Sequence, residues 1–396
     1  MSVGLDISNE LKAYRESLKE WGREAVRPYA READETHALP GLAATILDSA
    51  PVPLDRYDVP TDGLPPVPDG DIVRRNVWYE AVAYCDIWLS EALSRGVGHL
   101  VVDAVGTAEQ KERWLRPVLE GGRITSLGLS EPDAGSDTSR IATTATREGD
   151  VWRINGSKMY CSYGAIADYV VVFASTDRER GRSAILPFIV EKDTPGLTVL
   201  RHNEDKLGLR CWTTSQLAFD DLIVPADHQL GWTGEAATSL TANGLDAALA
   251  SLNHNRPNVS AQSVGLAQAA LDLTADLLRD DRASFSPNRW RLVETELEQM
   301  NAALHRSRTM NLHAQALADT GVHNRLEASA AKAYGPPTSE RVVRRCMQLL
   351  GPDGSSNELL LEKWYRDVKI LDIFEGTGQI MRLLISRQLM GRRAAS

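Results

Sequence analysis

Glu375 stands in the run DIFEGTGQIMR, residues 372–382, behind Ile373 and Phe374 and directly ahead of Gly376. A charged, unpaired carboxylate in apolar surroundings is costly, so such a group shifts its pKa or acquires a partner. Held where water is scarce, it is a stronger base than in solvent, which suits proton abstraction from carbon. The residues alone leave two readings open: such a base, or a helix-start glutamate favoured by the helix dipole. Thr377 and Gln379 begin the following helix, where free N–H groups and the dipole favour a phosphate or carbonyl. Upstream, NHNRPNV places His254 beside Arg256, and a solvated loop histidine is the plainer reading of His254. Asp103, in VVDAVG, reads as a helix-end or surface residue and not as a second base. The eight histidines form no spaced metal pair, so no metal centre is expected.

Composition narrows the class. A formal net charge of -10 argues against nucleic acid, because phosphate affinity needs clustered Lys and Arg. With 396 residues, 43% of them hydrophobic and 25% charged, the chain has ordinary globular composition and room for two or three domains. Cys85, Cys161, Cys211 and Cys346 contain no CxxC pair, which fits neither a disulfide framework nor a zinc site and suits a reducing cytoplasm. The N-terminus has no signal-type apolar run, and no stretch approaches the roughly 20 apolar residues of a membrane span. A cytoplasmic protein with no membrane partner is expected. No GxxxxGK[ST], GxGxxG or HExxH motif occurs, so any nucleotide cofactor is held without the familiar glycine loops.

Three segments must position these residues. To about residue 122 the chain reads as helical: Leu11, Tyr14, Leu18 and Trp21 share one face, and Thr107 reads as the N-cap of AEQKERWLRPVL. The Pro-, Asp- and Gly-rich stretch 49–71 between them reads as loop. From 123 to 232 short runs rich in β-branched residues predict a β unit, with Asn155-Gly156 as its hairpin turn. From 233 helices return: Val264, Leu271 and Leu278 on one, Val293, Leu297, Met300 and Leu304 on the next. Pro336-Pro337 is expected to interrupt a third, with Thr338 capping its continuation. The expected architecture is α+β and multidomain: an N-terminal helical domain (1–122), a middle β-barrel or sandwich (123–232) and a C-terminal four-helix bundle (233–396).

Four blocks, SLGLSEPDAGSD (126–137), KMYCSYGAIADY (158–169), QLLGPDGSS (348–356) and IFEGTGQIMR (373–382), resemble in order and spacing the acyl-CoA dehydrogenase family. GTAEQKERWL, RPNVSAQSVGLAQAAL and DRASF resemble further blocks of it, so the likeness covers nearly the whole chain. The resemblance implies FAD, with Leu127, Leu129, Ser130, Ser136, Tyr160, Cys161, Ser162, Thr377 and Gln379 around it. Arg282, Phe285, Gln348 and Gly351 are implied at the pyrophosphate and adenine, across a dimer interface. Glu375 aligns with the family's catalytic base, and Ser136, Asn253, Arg256 and Gly376 are implied on the substrate side. Chemistry agrees: small residues admit a flat ring, Tyr160 offers an aromatic face, and the Ser162 hydroxyl can donate to flavin N5.

The implied activity is α,β-dehydrogenation of an acyl-CoA or acyl-carrier-protein thioester to the trans-2-enoyl form. Electrons would pass to an electron-transfer flavoprotein from a homodimer or homotetramer, with a heteromeric assembly as the alternative. An oxygen-using flavoenzyme of the same fold (oxidase or monooxygenase) and a non-catalytic subunit of a heteromeric dehydrogenase remain as rival readings. Departures from the family pattern are specific. Tyr160 and Ser162 replace the usual Trp and Thr, Asn253 falls where an acid is common, and Pro352 replaces a Gly. SFSPNRWRL replaces the usual glycine and glutamine pattern after Phe285, so a rearranged adenine end is expected. In WLSEALSRGVG, where the family shapes its acyl pocket, Gly96 and Gly98 suggest space.

Overall fold

Leu11, Tyr14, Leu18 and Trp21 form the buried face of the first helix, which Ser8 caps by accepting from the Leu11 N–H at 3.1 Å. The computed structural model describes residues 7–54, 72–233 and 244–391, so the expected loop at 49–71 lies outside the described residues from 55 onward. Its principal helices are α1 (Asn9–Trp21), α2 (Ile72–Cys85), α3 (Ile87–Ala92), α4 (Gly98–Val105), α5 (Gly244–Asp280), α6 (Pro287–Asp319), α7 (Arg325–Leu350), α8 (Leu361–Leu371) and α9 (Gly378–Leu389). The strands are β1 (Thr125–Gly128), β2 (Thr144–Glu148), β3 (Val151–Ser162), β4 (Tyr169–Ser175), β5 (Ile185–Glu191), β6 (Leu197–Arg201) and β7 (Thr214–Pro225). They fall into two units: a helical one from 1–93, 206–211 and 253–395, and a sheet-containing one from 94–205 and 212–252.

In the helical unit Val264, Leu271 and Leu278 of α5 and Val293, Met300 and Leu304 of α6 are buried, as their spacing predicts. Gly265 sets how near α5 can come to α2, since a Cβ there would lie 2.0 Å from the Glu80 carbonyl oxygen. Gly265→Ala is expected to cost about 1–3 kcal/mol through overpacking. The check is chemical denaturation, and an unchanged midpoint would show that the two helices part freely.

The expected break at Pro336-Pro337 does not occur: α7 runs unbroken through both prolines. Each proline removes one N–H and crowds the carbonyl four residues earlier. Burial of the apolar Ala331, Pro336, Val342 and Val343 on the same helix offsets that loss. Gly335 is required for it, because a Cβ would sit 1.9 Å from Ser260 Oγ on α5. Thr338, expected as a cap, lies buried in mid-helix and accepts from Arg341 Nη2 at 2.9 Å.

Beneath α3 lies a buried ionic trio. Lys363 Nζ sits 2.5 Å from Asp86 Oδ1 and 3.0 Å from Asp367 Oδ2. Asp86 also accepts from Trp364 Nε1 at 2.7 Å and from the Trp88 N–H that begins α3 at 3.1 Å. The Leu209 N–H donates to Asp367 at 2.6 Å. Burial opposes ionisation of Lys363, but the two carboxylates hold its pKa above the ordinary value.

The sheet pairs β2–β3, β3–β7, β7–β6 and β4–β5 antiparallel and β1–β4 parallel. Every residue of β4 is buried, and successive residues serve opposite sides. Tyr169, Val171 and Phe173 pack with Val101, Val102 and Trp114; Val170, Val172 and Ala174 pack with Trp152, Ile154 and Leu217. Thr107 caps as expected, in a reciprocal box with Gln110. The hairpin turn is not Asn155-Gly156. It is Gly149-Asp150, between β2 and β3, with Gly149 at φ 59°. Asn155 and Gly156 lie within β3 instead, where Asn155 exchanges hydrogen bonds with Asp221 and a Cβ on Gly156 would meet Thr143 Cα at 2.7 Å. The glycines at 96 and 98 do not leave space either. A Cβ at either would come within 2.3 Å of the main-chain oxygen of Thr125 or Ser126, so they serve close packing against β1.

Candidate active site

Glu375 lies in the turn between α8 and α9, within the helical unit, with φ 56°; Gly376 follows at φ 96°. A left-handed non-glycine residue stores about 1–3 kcal/mol of strain, which the surrounding contacts must hold. A Cβ at Gly376 would meet the Met381 methyl at 2.6 Å, which that flexible side chain can relieve, so it is the φ of 96° that favours glycine there. Thr377 caps α9 by accepting from the Ile380 N–H at 3.2 Å, and Gln379 is exposed on the first turn.

The Glu375 carboxyl is shielded from water, but its neighbours are not apolar as the sequence suggests. Asn255 Nδ2 donates to Oε1, while Oε2 is buried and has no hydrogen-bond partner. Arg256 Nε reaches the Glu375 carbonyl at 3.4 Å, and Lys332 Nζ the Gly376 carbonyl at 3.4 Å. Burial pushes the Glu375 pKa above the ordinary carboxylate value, against the opposing pull of Asn255, Lys332 and Arg256. Burial also draws Lys332 down to about 8, although Asp372 and Glu375 favour its charged form. Asn253 accepts from Arg256 Nη1, so two of the four implied substrate-side residues are buried beside the turn. His254 is exposed on α5, in a helix and not in the expected loop.

The sheet unit gathers a second group. β3 pairs irregularly with β7 between Lys158 and Cys161, and at this bulge Tyr160 takes φ 59° with its side chain 60% exposed. The Met159 N–H donates to the Ser130 carbonyl at 2.9 Å, which joins the bulge to the loop carrying Leu129 and Ser130. Lys158 fastens the same joint from beneath, donating to the Leu129 carbonyl at 3.1 Å and to Glu131 at 2.7 Å. Burial opposes the charge on Glu131, yet Lys158 and the Ala142 N–H hold its pKa below the usual carboxylate range. Leu127 and Leu129 are partly buried against the core, Ser162 is half-buried and Ser136 exposed. The Cys161 side chain, by contrast, points into that core, where burial pushes its thiol up to about 12. It offers a cofactor only its main chain. An aromatic face held out by a left-handed residue, next to serine hydroxyls, fits a flat flavin ring.

Arg282 and Phe285 lie together before α6. Arg282 Nη1 donates to the Phe285 carbonyl at 3.1 Å, its guanidinium lies 4.7 Å from the Trp290 ring centroid, and Phe285 meets that ring edge-on. The divergent SFSPNRW thus has a local logic: Ser286 caps α6, Pro287 begins it, and Trp290 covers the arginine–phenylalanine pair. Pro352 likewise occupies the start of a short 3-10 turn, Gly351–Ser355, where a missing N–H is tolerated. Gln348 accepts from Arg345 at 3.2 Å near the end of α7, and Gly351 follows at φ 61°.

Asn255, Lys332, Glu131 and Lys158 were not singled out from the sequence. Lys332 did leave a signal, a lone charge on a helix face otherwise built from Ala328, Ala331 and Gly335.

The whole chain matches known proteins. Residues 8–122, 126–222 and 242–390 match the N-terminal, middle and C-terminal domain models of acyl-CoA dehydrogenase. The chain belongs to the acyl-CoA dehydrogenase family. It is similar to the mitochondrial short-chain specific acyl-CoA dehydrogenase of Bos taurus, 32% identical over 385 residues, 95% of this chain and 89% of that one. Cyclohex-1-ene-1-carbonyl-CoA dehydrogenase of Geobacter metallireducens is 37% identical over 297 residues, 74% of this chain and 76% of that one. Among solved structures, butyryl-CoA dehydrogenase from Megasphaera elsdenii superposes with a TM-score of 0.83 at 27% identity, covering 98% of this chain and 100% of that one. This acyl-CoA dehydrogenase is an FAD-dependent oxidoreductase with the expected helical termini and a curled middle sheet. No helix among its described residues is long and apolar enough to cross a membrane.

Proposed function

We propose that this acyl-CoA dehydrogenase converts a short-chain or ring-bearing acyl-CoA to its 2-enoyl thioester, with Glu375 as the base. The observation that carries this reading is the Glu375 carboxylate itself: one oxygen bonded, the other buried and partnerless, on a left-handed turn. Glu375 Oε2 takes the proton from the carbon α to the thioester. FAD, when bound, supplies the acceptor for the hydride from the β-carbon. The Gly376 N–H is assigned to the thioester oxygen, where a donor acidifies the α-carbon as charge develops on that oxygen. Arg256 and Lys332 hold the Glu375–Gly376 main chain from two helices and favour the ionised base.

Toward FAD, Leu127, Leu129, Ser130, Tyr160 and Ser162 are assigned to the ring and Thr377 and Gln379 to polar contacts at the α9 start. Arg282, Phe285, Gln348 and Gly351 are assigned to the pyrophosphate and adenine of a neighbouring subunit's cofactor in a homotetramer. An electron-transferring flavoprotein is the proposed acceptor. Names of the relatives support the small acyl group. The test is anaerobic titration of the purified holoenzyme with acyl-CoAs of graded length, branching and ring content, followed by the visible flavin absorbance. Bleaching is expected with the small thioesters; none with any of them would overturn the reading.

A further inference from the structure

Main-chain carbonyls can only accept, and two of them fix the direction of a chain of side-chain amides that ends on Glu375. Asn76 Nδ2, on α2, donates to the Pro257 carbonyl at 3.0 Å and to Asn258 Oδ1 at 3.1 Å. Gln315 Nε2, on α6, donates to the His254 carbonyl at 3.0 Å and to the same Asn258 Oδ1 at 2.8 Å. With its oxygen taken twice, Asn258 presents Nδ2 to Asn255 Oδ1 at 3.4 Å. Asn255 therefore turns its own Nδ2 to Glu375 Oε1. Asn76, Asn258 and Gln315 are 1%, 7% and 0% exposed, so bulk water does not reach them, and Gln315 Oε1 has no hydrogen-bond partner. Reversing any amide would set oxygen against oxygen and leave buried groups unsatisfied.

We propose that Asn255, oriented through Asn258 by Asn76 and Gln315, is a positioning residue for the base: it occupies Oε1 and leaves Oε2 to take the proton. This rests on Glu375 being that base. An amide donor also favours the carboxylate over its acid, so the same bond keeps a buried base ionised. The other charged groups acting on Glu375 are Arg256 from α5 and Lys332 from α7, with Asp372 acting on Lys332; neither Arg256 nor Lys332 bonds its carboxyl oxygens.

The test measures α-proton exchange of an acyl-CoA into D2O by NMR, across pH, in holoenzymes of the wild type, Asn255→Leu, Asn258→Leu and Glu375→Gln. Asn255→Leu should move the acid limb upward by about one pH unit, the size of one lost charge-assisted hydrogen bond. Its plateau rate should fall about ten-fold through misorientation, with KM within about two-fold of wild type. Asn258→Leu touches no reacting group but frees Asn255 to present either end, so a smaller shift in the same direction is expected. A side chain that only filled space would lower stability and leave the profile in place. Superimposable profiles in both variants, or a downward shift in either, overturn the proposal; if Asn255→Leu does not fold, Asn258→Leu decides by the same criterion. Glu375→Gln separates the two ideas. Exchange abolished there, beside an unshifted Asn255→Leu profile, removes Asn255 and keeps the base, whereas wild-type exchange in Glu375→Gln removes both.

Discussion

Glu375→Gln should yield a folded, yellow protein whose flavin acyl-CoA no longer bleaches. The amide is nearly isosteric, so the turn at φ 56° and the contacts of Arg256 and Lys332 with the main chain can persist. What disappears is the basic lone pair on Oε2, and the anaerobic reduction rate should fall about a thousand-fold or more. Reduction within about ten-fold of wild type would remove Glu375 from the chemistry. Stability should move the other way. A carboxyl whose folded pKa lies above its unfolded value contributes stability below the unfolded pKa and loses it as pH rises through the folded one. Above its raised pKa the ionised, buried Glu375 is thus a local liability, and the glutamine protein should denature no earlier than wild type there. For the same reason the wild-type reduction rate should climb with pH through the raised Glu375 pKa, above the usual carboxylate range.

The largest loss of stability should come from Lys363→Met. The lysine is 2% exposed and stands between two carboxylates that are both 0% exposed. Burial and the Asp86 charge already raise the Asp367 pKa, and only Lys363 offsets them with an opposite charge. Removing it leaves Asp86 and Asp367 buried as like charges, at a cost of about 3–5 kcal/mol. Trp364 Nε1 and the Trp88 N–H would still bond Asp86, but neutral donors do not replace an ammonium ion. A denaturation midpoint within about 1 kcal/mol of wild type would show that one carboxyl simply takes up a proton in place of the lysine.

The sequence carried the order of elements and the glutamate well, because both depend on local pattern. Leu11 to Trp21 on α1 and the Thr107 cap needed only helical spacing and a hydroxyl before a helix. Asn155-Gly156 misled because the same dipeptide that favours a tight turn also tolerates a close strand contact, and here Thr143 and Asp221 supplied that contact. Pro336-Pro337 misled because local rules count lost hydrogen bonds and not the burial that offsets them. The surroundings of Glu375 were illegible for a different reason. Asn255, Lys332 and Gln315 lie 120, 43 and 60 residues from it in the chain, and only the packing of α5, α6 and α7 makes them its neighbours or its support.

The bulge at Tyr160 also shifts the reading frame of its strand. Trp152, Ile154 and Lys158 face inward on even positions; beyond the extra residue Cys161 faces inward on an odd one. Deleting one residue from the bulge would restore plain alternation, leaving Cys161 inward opposite Ser215 and Ser162 on its present face, but it would remove the irregularity that carries Tyr160 at φ 59°. The number of residues between Lys158 and Cys161 is therefore a structural determinant in its own right, separate from what any of those residues is.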